Sequence, residues 1–337
     1  MSDTLVESSA ESAFLDLHKK LLTQGRPALA ELQEAALNRF ESLGFPYSKH
    51  EMFTFVNTKG LVATSFSLSD GSAQVSEDFV AGHIYPDCED QCLVFVDGVF
   101  DRGLSRFEGV SANLVSLSEA DQELKDYLSK TAENENDVFA ALSTAFCGEG
   151  LVFKVDDNTQ ISGTVQVLFI STGRSVGPVM HSPRLVWQLG KLAEVKVIEK
   201  FVGTEGGYFI NLVQDWLLAE GAGVSFTQVQ ADSFDSWHFS KTRVHLNRNA
   251  RFYSSNASSG TQLARHHYEV RLKEEGSELR LNGVSVLDGK EQVHNFIRIH
   301  HEAPQCVSHQ HFKNVVSGQA RSSFDGTVIV APGAQLT

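Results

Sequence analysis

Four histidines and a cysteine fall within twelve residues near the end of the sequence, HHEAPQCVSHQH, from His300 to His311. Imidazole nitrogens and a thiolate are ligands for zinc and similar metals. His309 and His311 stand two apart, so on a strand they share one face and could chelate an ion with Cys306 or His301 alongside. The alternative is plain scaffold. Outward faces of a repetitive sheet carry histidine freely, and a cysteine in a recurring small-residue slot behaves as a buried small hydrophobe. The scaffold reading is preferred; His301, Cys306, His309 and His311 stay as the metal candidates.

Other reactive groupings are weaker. Cys88 and Cys92, in CEDQC, have i, i+4 spacing, but without a second ligand pair they read as two loop thiols. Glu199 ends the apolar run VKVIE, where a carboxyl could act as a base; a paired or edge-exposed charge is the preferred reading. GVSVLDGKE imitates a phosphate loop and fails: five residues separate Gly283 from Gly289 where four are needed, and Glu291 stands where Ser or Thr would hold magnesium. GAGVSF lacks the third glycine of a dinucleotide fingerprint. Neither a G-x-S-x-G elbow nor a helical H-E-x-x-H is present. ATPase, dehydrogenase and serine hydrolase chemistry therefore have no foothold.

The whole-chain numbers narrow the class further. Lys and Arg total 28 against 42 Asp and Glu, a net charge of −14 over 337 residues, which argues against nucleic acid and anionic membrane as partners. The opening MSDTLVESSAESAF is acidic and carries no apolar signal region, and no run of apolar residues is long enough to span a bilayer. Four cysteines in a chain of this length make no disulfide framework, so the expected compartment is the cytoplasm.

The elements that must position these residues change character along the chain. In RPALAELQEAALNRFESLG, Leu29, Leu32, Ala36, Phe40 and Leu43 recur at helical spacing, with Pro27 at the start and Gly44 at the end. QCLVFVDGVFDRG predicts a hairpin turning at Asp97-Gly98, and SEADQELKDYLSK and NDVFAALSTAFCG predict two more helices. From about Gly150 the period becomes that of strands. Small residues at Ala193, Ala222, Ala250, Ser277 and Ala334 each precede an alternating run, at gaps of 29, 28, 27 and 57. Halving the period adds Gly207, Ser236, Ala264, Glu291, Cys306 and Ala320, and only Glu291 departs from Gly, Ala, Ser or Cys. Such spacing suits stacked coils, without deciding whether 14 residues make a coil or half of one. The expected fold is mainly β, with an N-terminal α/β region and a parallel β-helix core; an antiparallel β-sandwich is the alternative. The expected units are a helical region at 1–80, an α/β segment at 81–150 and the β-helix at 151–337.

Several stretches resemble the SufB/SufD family of iron–sulfur cluster assembly proteins. LGFPYSKHEMFTFVNTKGL is similar to a family stretch in which Phe53 is usually tryptophan, and LVFVDGVFDRGLS to its strand pair. DVFAALSTAFCGEGLVFKV resembles its helix-to-strand entry, with Ser143 for the usual asparagine, and RLVWQLGKLAEVKVIEKFVG resembles a rung of its repeat. The most diagnostic block runs from LNGVSV to AQLT. There Gly283, Gly289, Gln292, His301, Pro304, Cys306, Ser308, Gln310, Lys313, Gly318, Phe324, Gly326, Val330 and Gln335 fall on the pattern, and Asn295 replaces an aspartate. His309 and His311 lie off it. The SufD branch is favoured because the cysteine-rich N-terminal segment typical of SufB is absent.

The resemblance implies a right-handed parallel β-helix that is not itself an enzyme, pairs with SufB and docks the ATPase SufC, with a homodimer as a further option. It implies no intrinsic cofactor: the iron–sulfur cluster is handled by the complex and ATP is bound by SufC. Family members continue past the AQKT pattern into further strands and a helical domain, so the sequence is expected to be a fragment ending at Thr337. The family histidine implicated in cluster building lies in that further segment and has no counterpart here. A mononuclear metal protein and a β-helix enzyme acting on polysaccharide are the rival functions. The second lacks both a secretory signal and paired catalytic carboxylates.

Overall fold

The computed structural model describes residues 11, 13–21, 29–46, 50–69, 71–107, 110–173, 177–204 and 206–335. Its strands, in chain order, begin with β1 (Ser67–Leu68), β2 (Cys92–Val96), β3 (Val99–Arg106), β4 (Asn113–Ser116), β5 (Leu151–Val155) and β6 (Val165–Ser171). Next come β7 (Val179–His181), β8 (Arg184–Leu189), β9 (Glu194–Gly203), β10 (Tyr208–Leu218), β11 (Gly223–Ala231) and β12 (Trp237–Leu246). The last six are β13 (Arg251–Ser259), β14 (Leu263–Leu272), β15 (Glu278–Leu287), β16 (Gln292–His301), β17 (Val307–Val316) and β18 (Arg321–Val330).

From β8 onward successive strands fall alternately into two sheets. One runs β18-β16-β14-β12-β10-β8-β5-β4 and the other β17-β15-β13-β11-β9-β6-β2-β3. Every pairing from β8 to β18 within the first sheet, and from β2 through β6 to β17 within the second, is parallel. This is a parallel β-solenoid of about six turns. The antiparallel sandwich is overturned by those registers; among the described residues antiparallel pairing is confined to β2–β3 and β4–β5. The β2–β3 pair is the hairpin predicted at Asp97-Gly98.

The small-residue column marks one corner of each coil. Ala193, Ala222, Ala250, Ser277, Cys306 and Ala334 are all buried. Cys306 therefore belongs with the whole-turn set, which removes the gap of 57, and a coil is about 28 residues containing two strands. Ala264, expected at a half-turn corner, instead lies within β14. The residue just before each slot has a left-handed backbone: Leu192, Gly221, Asn249, Gly276, Gln305 and Gly333. A left-handed residue reverses the chain sharply, which is why glycine and asparagine recur there. The slot behind it leaves room only for a small side chain, because the next coil stacks directly upon it.

Side chains alternate between the lumen and the outside. Inward residues form like-on-like ladders across coils: Trp187 and Trp216 stack with centroids 4.5 Å apart, and Phe169 and Phe201 at 4.6 Å. These stacks and the aliphatic residues around them make one continuous core. Apolar burial at about 25 cal/mol per Å² is the main force holding the coils together.

Among the described helices are α1 (Ala30–Leu43), α2 (Lys59–Val62), α3 (Glu77–Ala81), α4 (Gln122–Glu133) and α5 (Val138–Phe146). In α1 the buried face is Leu32, Ala36 and Phe40, and Gly44 ends the helix by donating its N–H to the Phe40 carbonyl. Pro27 lies outside the described residues. In α4, Asp121 caps the first turn and Leu124, Leu128 and Ala132 face inward. Helix α5 is buried all round, sandwiched between α1 and the outer face of the first sheet, where Phe139 packs edge-on to Phe239 at 4.6 Å. Among the described residues no helix is long and apolar enough to cross a membrane.

Candidate functional site

The chemistry-bearing side chains gather in three places: the solenoid lumen, the interface under the α4–α5 connection, and the His300–His311 segment.

In the lumen, Glu199 of β9 is completely buried. Its Oε2 accepts hydrogen bonds from Gln214 Nε2 at 3.1 Å and Gln228 Nε2 at 3.3 Å. Gln214 Nε2 also reaches Thr242 Oγ1, and its Oε1 accepts from Trp216 Nε1. Asn256 Nδ2 donates to Gln228 Oε1 at 2.7 Å. Burial pushes the Glu199 carboxyl up to about 8, against the lowering effect of the two amides. The expected paired or edge charge is thus corrected: Glu199 is inward, meets amides instead of a cation, and is a neutral acid at pH 7. Its Oε1 has no hydrogen-bond partner among the described residues.

A second lumen group lies further along the strands. Asp232 accepts from Tyr208 OH, Gln230 Nε2 and His238 Nδ1, each at 2.8 Å. The His238 and His266 rings are 5.2 Å apart, and His266 Nδ1 bonds Ser240 Oγ. Burial drives His266 down to about 3 and His181 to about 4, so both are neutral. Together these groups make a polar stripe along one half of an otherwise apolar lumen.

Between the helices and the first sheet is a buried ionic network. Glu135 and Asp137, two apart in the α4–α5 connection, meet basic pairs also two apart on neighbouring strands. Glu135 binds Lys241 Nζ at 2.6 Å and the Arg243 guanidinium of β12. Asp137 Oδ2 accepts from Arg265 Nη1 at 2.6 Å and His267 Nδ1 at 2.7 Å on β14, while its Oδ1 caps α5 through the Phe139 N–H. Asp215 completes the row with Arg184, Arg243 and Tyr127. Burial alone would raise these carboxyls; Lys241 and Arg243 hold Glu135 below its ordinary value, and Arg184 and Arg243 hold Asp215 at about 2. Burial lowers His267 to about 4, so it is a neutral donor to Asp137. Such a network fixes where the helices sit rather than adding much net stability.

The metal candidates do not converge. His301 points inward at the end of β16, its Nε2 bonded to Ser308 Oγ at 3.0 Å. Cys306 occupies its corner slot, where Sγ contacts Ser277 Oγ and the Glu274 carbonyl. His309 and His311 share the exposed outer face of β17, beside Arg280 and Asn282 of β15. Among the described residues no cluster of three or more His, Cys, Asp or Glu is placed to hold a metal ion. Cys88 and Cys92 are both buried thiols, and burial pushes Cys92 up to about 12. The ionic network was missed from sequence; the doubled spacing of Glu135-Asn136-Asp137 against Lys241-Arg243 and Arg265-His267 was its one visible trace.

The chain is thus a parallel β-solenoid protein with a helical layer ion-paired to the outer face of one sheet. The SufBD N-terminal region profile matches residues 8–167, and the SufBD core domain profile of the iron–sulfur cluster assembly system matches 169–337. The chain belongs to the SufBD family. It is 26% identical over 328 residues to an iron–sulfur cluster assembly SufBD family protein of Synechocystis, covering 92% of this chain and 71% of the relative. It is 24% identical to the iron–sulfur cluster assembly protein SufD of Escherichia coli, covering 98% of this chain and 76% of that protein.

Proposed function

We propose that the chain is a non-catalytic, cytoplasmic subunit of a SufBCD-type iron–sulfur cluster assembly complex, pairing with SufB and docking the ATPase SufC. In this reading ATP is bound and hydrolysed by SufC, and the iron–sulfur cluster is the cargo of the complex. The observation that carries it is the family match running through both the helical layer and the solenoid. Supporting it, the reactive groups of this chain are used structurally: Glu199 is held by glutamines, Asp137 caps a helix, and Cys306 fills a corner. Stacked coils suit a subunit that must transmit movement without deforming, since each coil is fixed by its neighbours.

The test is co-expression of the tagged chain with the SufB and SufC of its own organism, followed by affinity capture and size-exclusion chromatography. Co-elution of SufB with the chain is the expected result. Capture of neither partner would overturn the reading, and a stable dimer of the chain alone would redirect it to a homodimer.

A further inference from the structure

The outer face of the second sheet is built differently from the rest of this acidic molecule. Five strands, β9, β11, β13, β15 and β17, present it in register. Its first column is Glu194, Gly223, Arg251, Glu278 and Val307, and holds both of its carboxylates. The remaining four columns contain Lys196, Lys200, Arg280 and Lys313, together with His309 and His311, and not one Asp or Glu. Lys200 is engaged by the His83 carbonyl and the Tyr85 ring; setting it aside, Lys196, Arg251, Arg280 and Lys313 still outnumber Glu194 and Glu278 by two on a chain whose net charge is −14.

The face also exposes apolar surface. Val284, Val286 and Val315 are 45%, 58% and 61% exposed. They adjoin through the register, Val284 opposite Lys313 and Val286 opposite Val315. Near the other end, Gln160, Ser162, Lys196, Ser225 and Tyr253 line an open recess of about 480 Å³. Arg251 is tied to Glu194 at its rim and Arg280 to Glu278 on the neighbouring strand, whereas among the described residues neither Lys196 nor Lys313 has a carboxylate partner.

We infer that this sheet face is a docking surface for an acidic protein segment that also carries apolar side chains. Carboxylates of the partner meet Lys196 and Lys313, and its apolar residues cover the Val284–Val286–Val315 row. Exposed apolar residues flanked by cations are the composition of an interface, and a positive face on a negative body steers an acidic partner to one side. The inference is independent of the SufB and SufC reading, since it rests on the composition of this face alone.

The test uses the purified chain and a fluorescein-labelled peptide alternating glutamate with leucine, with a lysine–leucine peptide and phosphatidylserine vesicles as comparators, all at low salt. Saturable binding of the glutamate peptide alone is expected. It should weaken at least about tenfold in Lys196→Glu/Lys313→Glu and in Val284→Ser/Val286→Ser, with circular dichroism confirming that both variants fold. Equal affinity for the two peptides, unchanged affinity in both variants, or absence of saturable binding would overturn it. Binding to the vesicles in place of the glutamate peptide would also overturn it, in favour of a lipid-facing surface.

Discussion

Gly283 of β15 lies directly beneath Phe312 of β17: a Cβ added to Gly283 would come within 2.2 Å of Phe312 Cδ1. The two are register partners on adjacent coils, so the missing side chain of one is the space for the ring of the other. Gly283→Ala should cost about 1–3 kcal/mol by overpacking, read as a lowered urea midpoint. Combining it with Phe312→Leu should recover part of that loss. Additive losses in the double variant would show that the two positions are not coupled.

Asp137 serves as helix cap and as ion-pair partner at once, and two substitutions separate these roles. Asp137→Asn keeps an oxygen for the Phe139 N–H but removes the charge facing Arg265. It should destabilise by about 3–5 kcal/mol, because a buried guanidinium loses its partner. Asp137→Ala should cost about 1 kcal/mol more, the worth of the cap. Chemical unfolding followed by far-ultraviolet circular dichroism measures both.

Glu199 gives stability an unusual pH dependence. Its folded value is raised to about 8, against an unfolded value of about 4.3. Its contribution is therefore complete below the unfolded value and is lost as pH rises through about 8. Glu199→Gln should remove that loss and stabilise the chain at pH 8.5 by roughly 1–3 kcal/mol. A variant less stable than the parent at pH 8.5 would refute the neutral-acid assignment.

The buried histidines act in the opposite direction. His181, His245 and His267 are lowered to about 4 and His266 to about 3, all by burial. The unfolded chain takes up protons first, so stability is complete above about pH 6.5 and falls as the pH drops from there toward 4. Between pH 7.5 and 5.5 the unfolding free energy should fall by about 2–5 kcal/mol. His266→Gln should make that slope shallower by about one proton, measurable from urea curves at several pH values.

On the outer face of β17, His309→Ala combined with His311→Ala should leave the thermal midpoint within about 1 °C of the parent, as for other exposed positions. The zinc content of purified protein should not change. A drop in bound zinc would restore the chelating pair as a site.

The coil repeat was readable in the sequence because a corner imposes the same demand at every turn. Ala193, Ala222 and Ala250 report it directly, and Cys306 does so once the whole-turn spacing is used. Helix α1 was readable for the same kind of reason, a period of apolar residues that one face must bury. The direction of Glu199 was not, since alternation gives two faces without saying which one is the lumen until the neighbouring strands are in register. The network around Glu135 and Asp137 was hidden because its partners lie about a hundred residues away: Glu135 meets Arg243 across 108 positions and Asp137 meets His267 across 130. The basic sheet face escaped notice for a related reason, its members being scattered singly from Lys196 to Lys313.

The left-handed corner residues, from Leu192 to Gly333, also govern how such a chain can change length in evolution. One residue inserted between Arg251 and Phe252 would turn Phe252 and Asn256 outward and drive Tyr253 into the lumen. From β8 onward the connections between strands vary in length, from three residues at 260–262 to five at 232–236, and can take up such changes. Lineages of this protein can therefore lengthen by duplicating whole coils or by elaborating the connections, and a comparison of its descendants should find insertions at the corners and strands of unchanged length.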